Sequence, residues 1–415
     1  MIFRNSLRER QAINMMRQVY MDHAATTPVA SEVLKEMMPY FTESFGNPSS
    51  LYTLGQQNKE VVRAAREKVA EVLNASPDEI YFTSGGTESD NWALKGVAFT
   101  YRNKGNHIIT TKIEHHAVLH SAEYLAGLGY DITYLGVDEE GRVSVDDVRK
   151  AITEKTVLVS VMFANNEIGT IQPIAEIGRL CREKGVLFHT DAVQAVAHIP
   201  IDVKAMDIDL LSLSAHKFYG PKGTGVMYIR KGVKLDNFIH GGGQEKGRRA
   251  TTENVAGIVG LGIAIERAAG KISSEKSRLT ALRDGLIEEI MARIPYAKLN
   301  GAAGDGRLPN NVNVSLIGVE GETLLMDLDM FGIAASTGSA CSSGSLDPSH
   351  VLMAIGLTHE QAHGSLRLTL GESTTEEDVA YVVEKLAGIV ERRRNMSPLW
   401  EDFLKAEERS EKNAL

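Results

Sequence analysis

Between residues 107 and 230 the chain repeats one pattern. Short apolar, β-branched runs, HIITT (107–111), DITYLGV (131–137), TVLVSVMFA (156–164), VLFHTDA (186–192), IDLLSLSAH (208–216) and GVMYIR (225–230), alternate with amphipathic stretches. One of these, IAEIGRLCREKG, ends in the Lys-Gly pattern of a helix C-terminus. Strands that are apolar throughout belong in a sheet covered on both faces, and repeated strand, helix, strand makes that sheet mainly parallel. Its ligands sit at strand ends, beside helix N-termini. The pattern therefore predicts an α/β domain and locates its chemistry. From about residue 251, TTENVAGIVGLGIAIERAAGKISSEKSRLTALRDGLIEEIMARI keeps a helical period and predicts one long helix leading out of that domain. Beyond it LPNNVNVSL, LRLTLG and the helical TEEDVAYVVEKLAGIVERRR predict a smaller α+β domain.

Charge and cysteine usage narrow the function classes. The 45 Lys+Arg and 54 Asp+Glu residues leave a net charge of -9, which argues against a general nucleic-acid binder. The two cysteines, Cys181 and Cys341, are far apart and give neither a disulfide framework nor a clustered zinc spacing, so a reducing, cytoplasmic setting is expected. No apolar run is long enough to span a bilayer. The opening MIFRNSLRERQAINMMRQVY lacks the apolar segment of a secretory signal and reads as an extension before the fold, with Met15 and Met16 as alternative starts.

Five short stretches carry candidate chemistry. ASTGSACSSGS (335–345) sets Cys341 among small and polar residues, where a thiol is expected to be exposed and movable, although a loop cysteine with no task reads the same way. In TSGGTESDNWALKG (83–96) a strand end turns through Gly85 and Gly86 into a helix, whose free amides, with the Thr87 hydroxyl, could cradle a phosphate or simply form a turn. Asp191, in FHTDAVQ, is placed to face a protonated ring nitrogen or to cap a helix. Lys217, in LSLSAHKFYGPKGTG, follows an apolar strand and could be a Schiff-base amine rather than a surface charge. EHHAVLH holds His115, His116 and His120. A metal on the last two lacks a completing ligand, whereas His115 suits stacking on a planar cofactor. Cradle, acid, lysine and imidazole in this order are the parts of a pyridoxal phosphate site.

The order of motifs is that of a known family. YMDHAATTPV, FGNPSS, TSGGTESDN, EHHAV, ANNEIGTIQP, DAVQ, SAHKFYGPKG, HGGGQE, LPNNVNVS, STGSACSSGSLDPSHVL and RLTLG run from residue 20 to SPLWEDF near the end. With them the chain resembles the cysteine desulfurases of the NifS/IscS type, pyridoxal 5′-phosphate enzymes of the class-V, aspartate aminotransferase-like fold (fold type I). The resemblance implies a large domain with a mainly parallel seven-stranded sheet, over 31–273, and a small α+β domain over 19–30 and 274–415 behind an extension at 1–18. It also implies that Lys217 joins the cofactor, Asp191 partners its ring nitrogen and His115 covers the ring. Gln194 and Asn166 match the pair near the phenolic oxygen. Gly86, Thr87, Ser214 and His216 match the phosphate end, and Thr252 a contact supplied by the second subunit of a homodimer. Arg367, with Asn166, matches the holder of the L-cysteine carboxylate, and Cys341 the nucleophile that takes sulfur as a persulfide and leaves alanine. The implied acceptor is a scaffold for iron-sulfur cluster assembly or a carrier for tRNA thiolation; no metal, nucleic acid or membrane is implied.

Three positions depart from the family pattern. RATT (249–252) stands for Arg-Ser-Gly-Thr, Gly86 for a common alanine, which is expected to loosen the turn, and Glu372 for a basic residue. Cys181, in an amphipathic helix, is expected to be packing. The C-terminal SPLWEDFLKAEERSEKNAL reads equally as a docking tail and as a solvated helix end. A selenocysteine lyase or an aminotransferase would share much of this apparatus, and a non-enzymatic assembly platform would need none of it.

Overall fold

The computed structural model describes residues 17–337, 348–397, 400–401 and 403–405. Cys341 lies outside the described residues, as do most of the 1–18 extension and the end of the C-terminal tail. The strands, in chain order, are β1 (Val19–Tyr20), β2 (Ile80–Thr83), β3 (His107–Thr111), β4 (Asp131–Leu135), β5 (Thr156–Ser160), β6 (Leu187–Asp191), β7 (Leu210–Ser214), β8 (Gly225–Ile229), β9 (Ala297–Leu299), β10 (Asn311–Leu316), β11 (Ile333–Ala334) and β12 (Ser365–Thr369).

β2 to β8 form one seven-stranded sheet in the order β2-β8-β7-β6-β5-β3-β4. Only β8 runs against its neighbours β2 and β7; the other pairs are parallel. Period-two alternation divides each strand between two cores. Phe82, Ile109, Val159, Leu211 and Val226 enter one apolar cluster, and Tyr81, Ile108, Leu158, Leu210 and Met227 the other. The apolar runs thus become strands buried on both faces, as their composition requires. Gly225 is obligatory: a Cβ there would come within 2.6 Å of Gly85 Cα, so β8 could not pass under the turn that ends β2.

A third cluster gathers elsewhere. The three-stranded antiparallel sheet β12-β10-β9 carries Val312, Val314, Leu366 and Leu368 against Leu286 and Ile290 of helix Ile272–Arg293 and Val382 and Leu386 of helix Glu376–Asn395. Val19 and Met21 join it, because β1 pairs in parallel with β11 and Asp22 bridges Thr369. The single long helix expected from residue 251 is two, Val255–Ala269 and Ile272–Arg293, with the break at Gly270 and Lys271. A glycine ends a helix at small cost, and the apolar period alone does not register it. Near the C-terminus Trp400 packs beside Gly318, stacks with Phe403 and lies under the Arg394 guanidinium, 4.1 Å from its ring centroid. These two aromatic side chains pack on the chain's own body, while most of the tail lies outside the described residues.

Candidate active site

Five strands of the large sheet send their C-terminal ends to one cavity of about 360 Å³. The segment after β2 brings Gly86 and Thr87, that after β3 His115, that after β5 Asn166, β6 and its extension Asp191 and Gln194, and β7 with its following turn Ser214, His216 and Lys217. Arg367 reaches the same cavity from β12. Ten of the twelve residues singled out in the sequence therefore line one space. Thr252 is exposed and does not line it, and Cys341 is outside the described residues.

At one end, helix Gly86–Tyr101 presents its N-terminus between Ser214 and His216. A Cβ on Gly86 would meet Val193 Cγ2 at 2.6 Å, so this glycine admits Val193 rather than merely loosening the turn. Glu88 of the same helix holds the RATT segment: Arg249 Nε and Nη2 donate to its two oxygens at 2.7 and 2.9 Å. Thr251, where the family pattern has glycine, takes φ 140°, a backbone conformation that favours glycine. His216 Nδ1 lies 3.1 Å from Thr26 Oγ1, and burial together with the adjacent Lys217 lowers its pKa to about 4.

Lys217 Nζ donates to the carbonyls of Ala24 and Ala25 at 2.6 and 2.8 Å, and Gln194 Nε2 to Ala24 O at 2.9 Å. The AATT stretch of the first motif thus forms one wall, a contact made by its backbone that no side-chain pattern could reveal. His115 caps helix His116–Gly127, accepting from Ala117 N at its Nδ1. Burial, then Lys217, holds its pKa down to about 4, so it is an uncharged ring at neutral pH. His116 and His120 stack, 5.0 Å between centroids and 7° apart, instead of converging. No cluster among the described residues is arranged to hold a metal.

The floor is acidic. Asp191 accepts from Val193 N at 2.9 Å, and burial pushes its pKa up to about 6. Asp90, not singled out in the sequence, also lines the cavity, with Oδ1 unpartnered. At the opposite side Arg367, 2% exposed, donates from Nη1 to Asn166 O at 3.1 Å and from Nη2 to Asp22 Oδ1 at 2.8 Å. Its Nε has no partner, a donor left for an incoming carboxylate. Glu167 next to Asn166 is buried, bonded to Ser349 and raised to about 7 by burial. Glu372 takes the Arg267 guanidinium across both oxygens, which accounts for its charge. Cys181 is buried, its thiol pushed up to about 12 by burial.

The aminotransferase class-V family model matches residues 19–382, and the chain belongs to that family. It is 64% identical over 395 residues to cysteine desulfurase IscS of Clostridium botulinum, covering 95% of this chain and 100% of that one. A solved NifS-like protein superposes with a TM-score of 0.85 at 42% identity, covering 90% of this chain and 100% of the other. A structure of SspA in complex with cysteine gives 0.75 at 39% identity, covering 85% and 99%. Within the class-V family the chain falls among the cysteine desulfurases of the NifS/IscS type. No helix among the described residues is long and apolar enough to cross a membrane.

Proposed function

We propose that the protein removes sulfur from L-cysteine, releasing L-alanine, and carries it as a persulfide on Cys341 to an acceptor. The observation that carries the reading is the convergence of ten motif residues on one cavity of a class-V chain. Pyridoxal 5′-phosphate fits the residues present: a buried acid at the floor, an amine on the wall, a flat imidazole and a helix N-terminus. Lys217 would hold it through the amine, Asp191 at the ring nitrogen, Gln194 and Asn166 at the phenolic oxygen, and Gly86, Thr87, Ser214 and His216 at the phosphate. When bound, it supplies an electron sink for the substrate's α-carbon.

The chain's own groups do the rest. Arg367 binds the substrate carboxylate, its fork already oriented by Asn166 O and Asp22. Lys217 Nζ moves the α-proton, and His115, kept neutral, covers the reacting face. Cys341, as thiolate, attacks the substrate sulfur: the S–S bond forms, the Cβ–S bond breaks, and its electron pair stays with the three-carbon product, which gains protons as alanine.

The reading extends to assembly. Leu34, Met38, Phe41, Phe45, Leu51 and Tyr52 are large, apolar and exposed, which supports burial against a second copy. Thr252, exposed and outside this cavity, suits a phosphate contact in that copy's site. Two apolar clusters support a large domain over 31–273 and a small one over 19–30 and 274–415, although Val29 and Ala30 pack on the large side. The acceptor is an iron-sulfur scaffold or a thiolation carrier, and free thiols fit a cytoplasmic setting.

The test is alanine and sulfide release from cysteine by the wild type and by Cys341→Ala, each with its absorption spectrum. A variant that keeps the cofactor band and loses sulfur release supports the reading. Equal release by both proteins favours elimination without Cys341.

A further inference from the structure

The sheet face under helix Gly86–Tyr101 is mostly apolar, with Thr83 and Thr110 at its sides and one polar column across β5, β6 and β7. By strand alternation Ser160 of β5, His189 and Asp191 of β6 and Ser212 of β7 share that face with Leu158 and Leu210. Ser160 pairs in register with His189, and Asp191 with Ser212. Asp90 comes down onto them from the helix. His189 Nδ1 lies 2.8 Å from Ser160 Oγ, and its Nε2 lies 3.0 Å from Ser212 Oγ and 3.6 Å from Asp90 Oδ1. Ser212 also favours the ionised form of the Asp90 carboxyl, against burial and the neighbouring acids. Ser160, His189 and Ser212 are wholly buried and Asp90 is 1% exposed.

A buried polar chain in an apolar layer is costly unless every member is satisfied. Here one atom is not: Asp90 Oδ1 has no hydrogen-bond partner, and both Asp90 and Asp191 face the cavity. The column has no function in the steps above, and apolar side chains would pack the layer as well. Its position explains it. It ends beside the acid that faces the ring nitrogen, and it meets no arginine or lysine among the described residues.

We propose that Asp90 is a positioning residue for the cofactor: with Ser212, His189 and Ser160 it forms a fixed polar bed that orients Asp191 and completes the receptor for the protonated ring nitrogen. The proposal rests on the pyridoxal phosphate reading above. Asp90 serves as the uncharged acid, since burial, then the neighbouring Asp191, raises its pKa, with Glu114 adding in the same direction. His189 is uncharged too, lowered by burial to about 3. Its two nitrogens then take one donor and one acceptor role, which passes a single direction of hydrogen bonding from Ser160 through His189 to Ser212 and leaves the Ser212 proton for Asp90. Lys217 is the cation that faces Asp191 from the opposite wall. The bed thus leaves one negative charge, on Asp191, where the ring nitrogen arrives.

The experiment uses full-length protein loaded with pyridoxal 5′-phosphate and reads cofactor affinity and the pH midpoint of the visible cofactor band, not turnover. Wild type, Asp90→Asn, Asp90→Ala and Ser212→Ala are compared, with thermal melts to confirm folding. Asp90→Asn, uncharged and of the same shape, is expected to keep both values within about twofold, whereas Asp90→Ala and Ser212→Ala each weaken cofactor binding roughly tenfold, the usual scale for a supporting hydrogen-bond partner. If Asp90→Asn shifts the band midpoint as far as Asp90→Ala does, Asp90 acts as an anion and the proposal is wrong. If Asp90→Ala matches the wild type in both values, the column is structural and the proposal is also wrong. A wild type that forms no cofactor band would instead remove the pyridoxal phosphate reading, and this inference with it.

Discussion

The floor and the mouth of the cavity treat charge in opposite ways. At the floor Asp90 and Asp191 are buried, as is nearby Glu114 outside the lining, and none forms an ion pair with arginine or lysine among the described residues. Burial lifts Asp191 to about 6 and Glu114 to about 8. At the mouth Arg367 is equally buried but is already matched by Asp22 and the Asn166 carbonyl. The floor therefore holds buried acids that Lys217 offsets only in part, and a protonated ring nitrogen would be a further cation for them. The mouth holds a compensated cation, whose remaining donor an incoming carboxylate can use. Desolvation sets the first and hydrogen-bond geometry the second.

Four measurements bear on that contrast. Lys217, on the wall between floor and mouth, gives the largest effect: Lys217→Ala should lower alanine release at least about 10³-fold, the upper range for a positioned proton-transfer group. Turnover within tenfold of wild type would remove it from the chemistry. Arg367→Lys keeps the charge at the mouth but not the fork, so kcat/KM for cysteine should fall about 10²-fold. A variant with unchanged kcat/KM would place the carboxylate elsewhere.

The pH dependence of stability tests the floor in the cofactor-free chain. Asp191, Glu114 and Glu167 have folded pKa values of about 6, about 8 and about 7, above the ordinary carboxyl range near 4. The folded state thus holds protons the unfolded chain has lost, and their contribution declines as pH rises through these values. His115, His189, His198 and His216 are lowered to between about 3 and about 4, so theirs is present above the ordinary histidine pKa near 6.5 and is lost as pH falls towards their folded values. Urea midpoints should therefore peak near about pH 6 and fall towards pH 8.5, with Glu114→Gln flattening the alkaline limb. A flat profile over that range would contradict the raised pKa values of these buried acids. The smallest effect lies outside the cavity. Thr251→Gly should relieve the φ 140° backbone and stabilise the protein by about 1 kcal/mol, read from the urea midpoint. A destabilised variant would show that the threonine side chain matters more than its backbone strain.

Much of the site was legible because its residues sit in compact motifs with a chemical reason for each type. Lys217 after an apolar strand and Asp191 at another strand's end could be named without a structure. Asp90 could not, although it lies inside a quoted motif. An acid near a helix start has a ready explanation in the helix dipole, and nothing local distinguishes it. A weak signal existed in the strands: His189 with Asp191, and Ser212 with Ser214, are polar at alternate positions of otherwise apolar runs. Asp22 and the Ala24 and Ala25 carbonyls were hidden for another reason. Their partners Arg367 and Lys217 lie 345 residues and about two hundred residues away, respectively. Glu372 is matched by Arg267, 105 residues away in the chain.

By itself the sequence determined the layered α/β architecture, the strand ends at which the cavity opens, and most of the residues that line it. Period and residue type are local properties, and burial on both faces of a sheet leaves a direct mark on composition. Only the tertiary structure decided which acids share the floor, what orients Arg367, where the long helix breaks and how Glu372 is matched. Those outcomes depend on desolvation and on contacts between distant segments, and neither has a local trace in the chain.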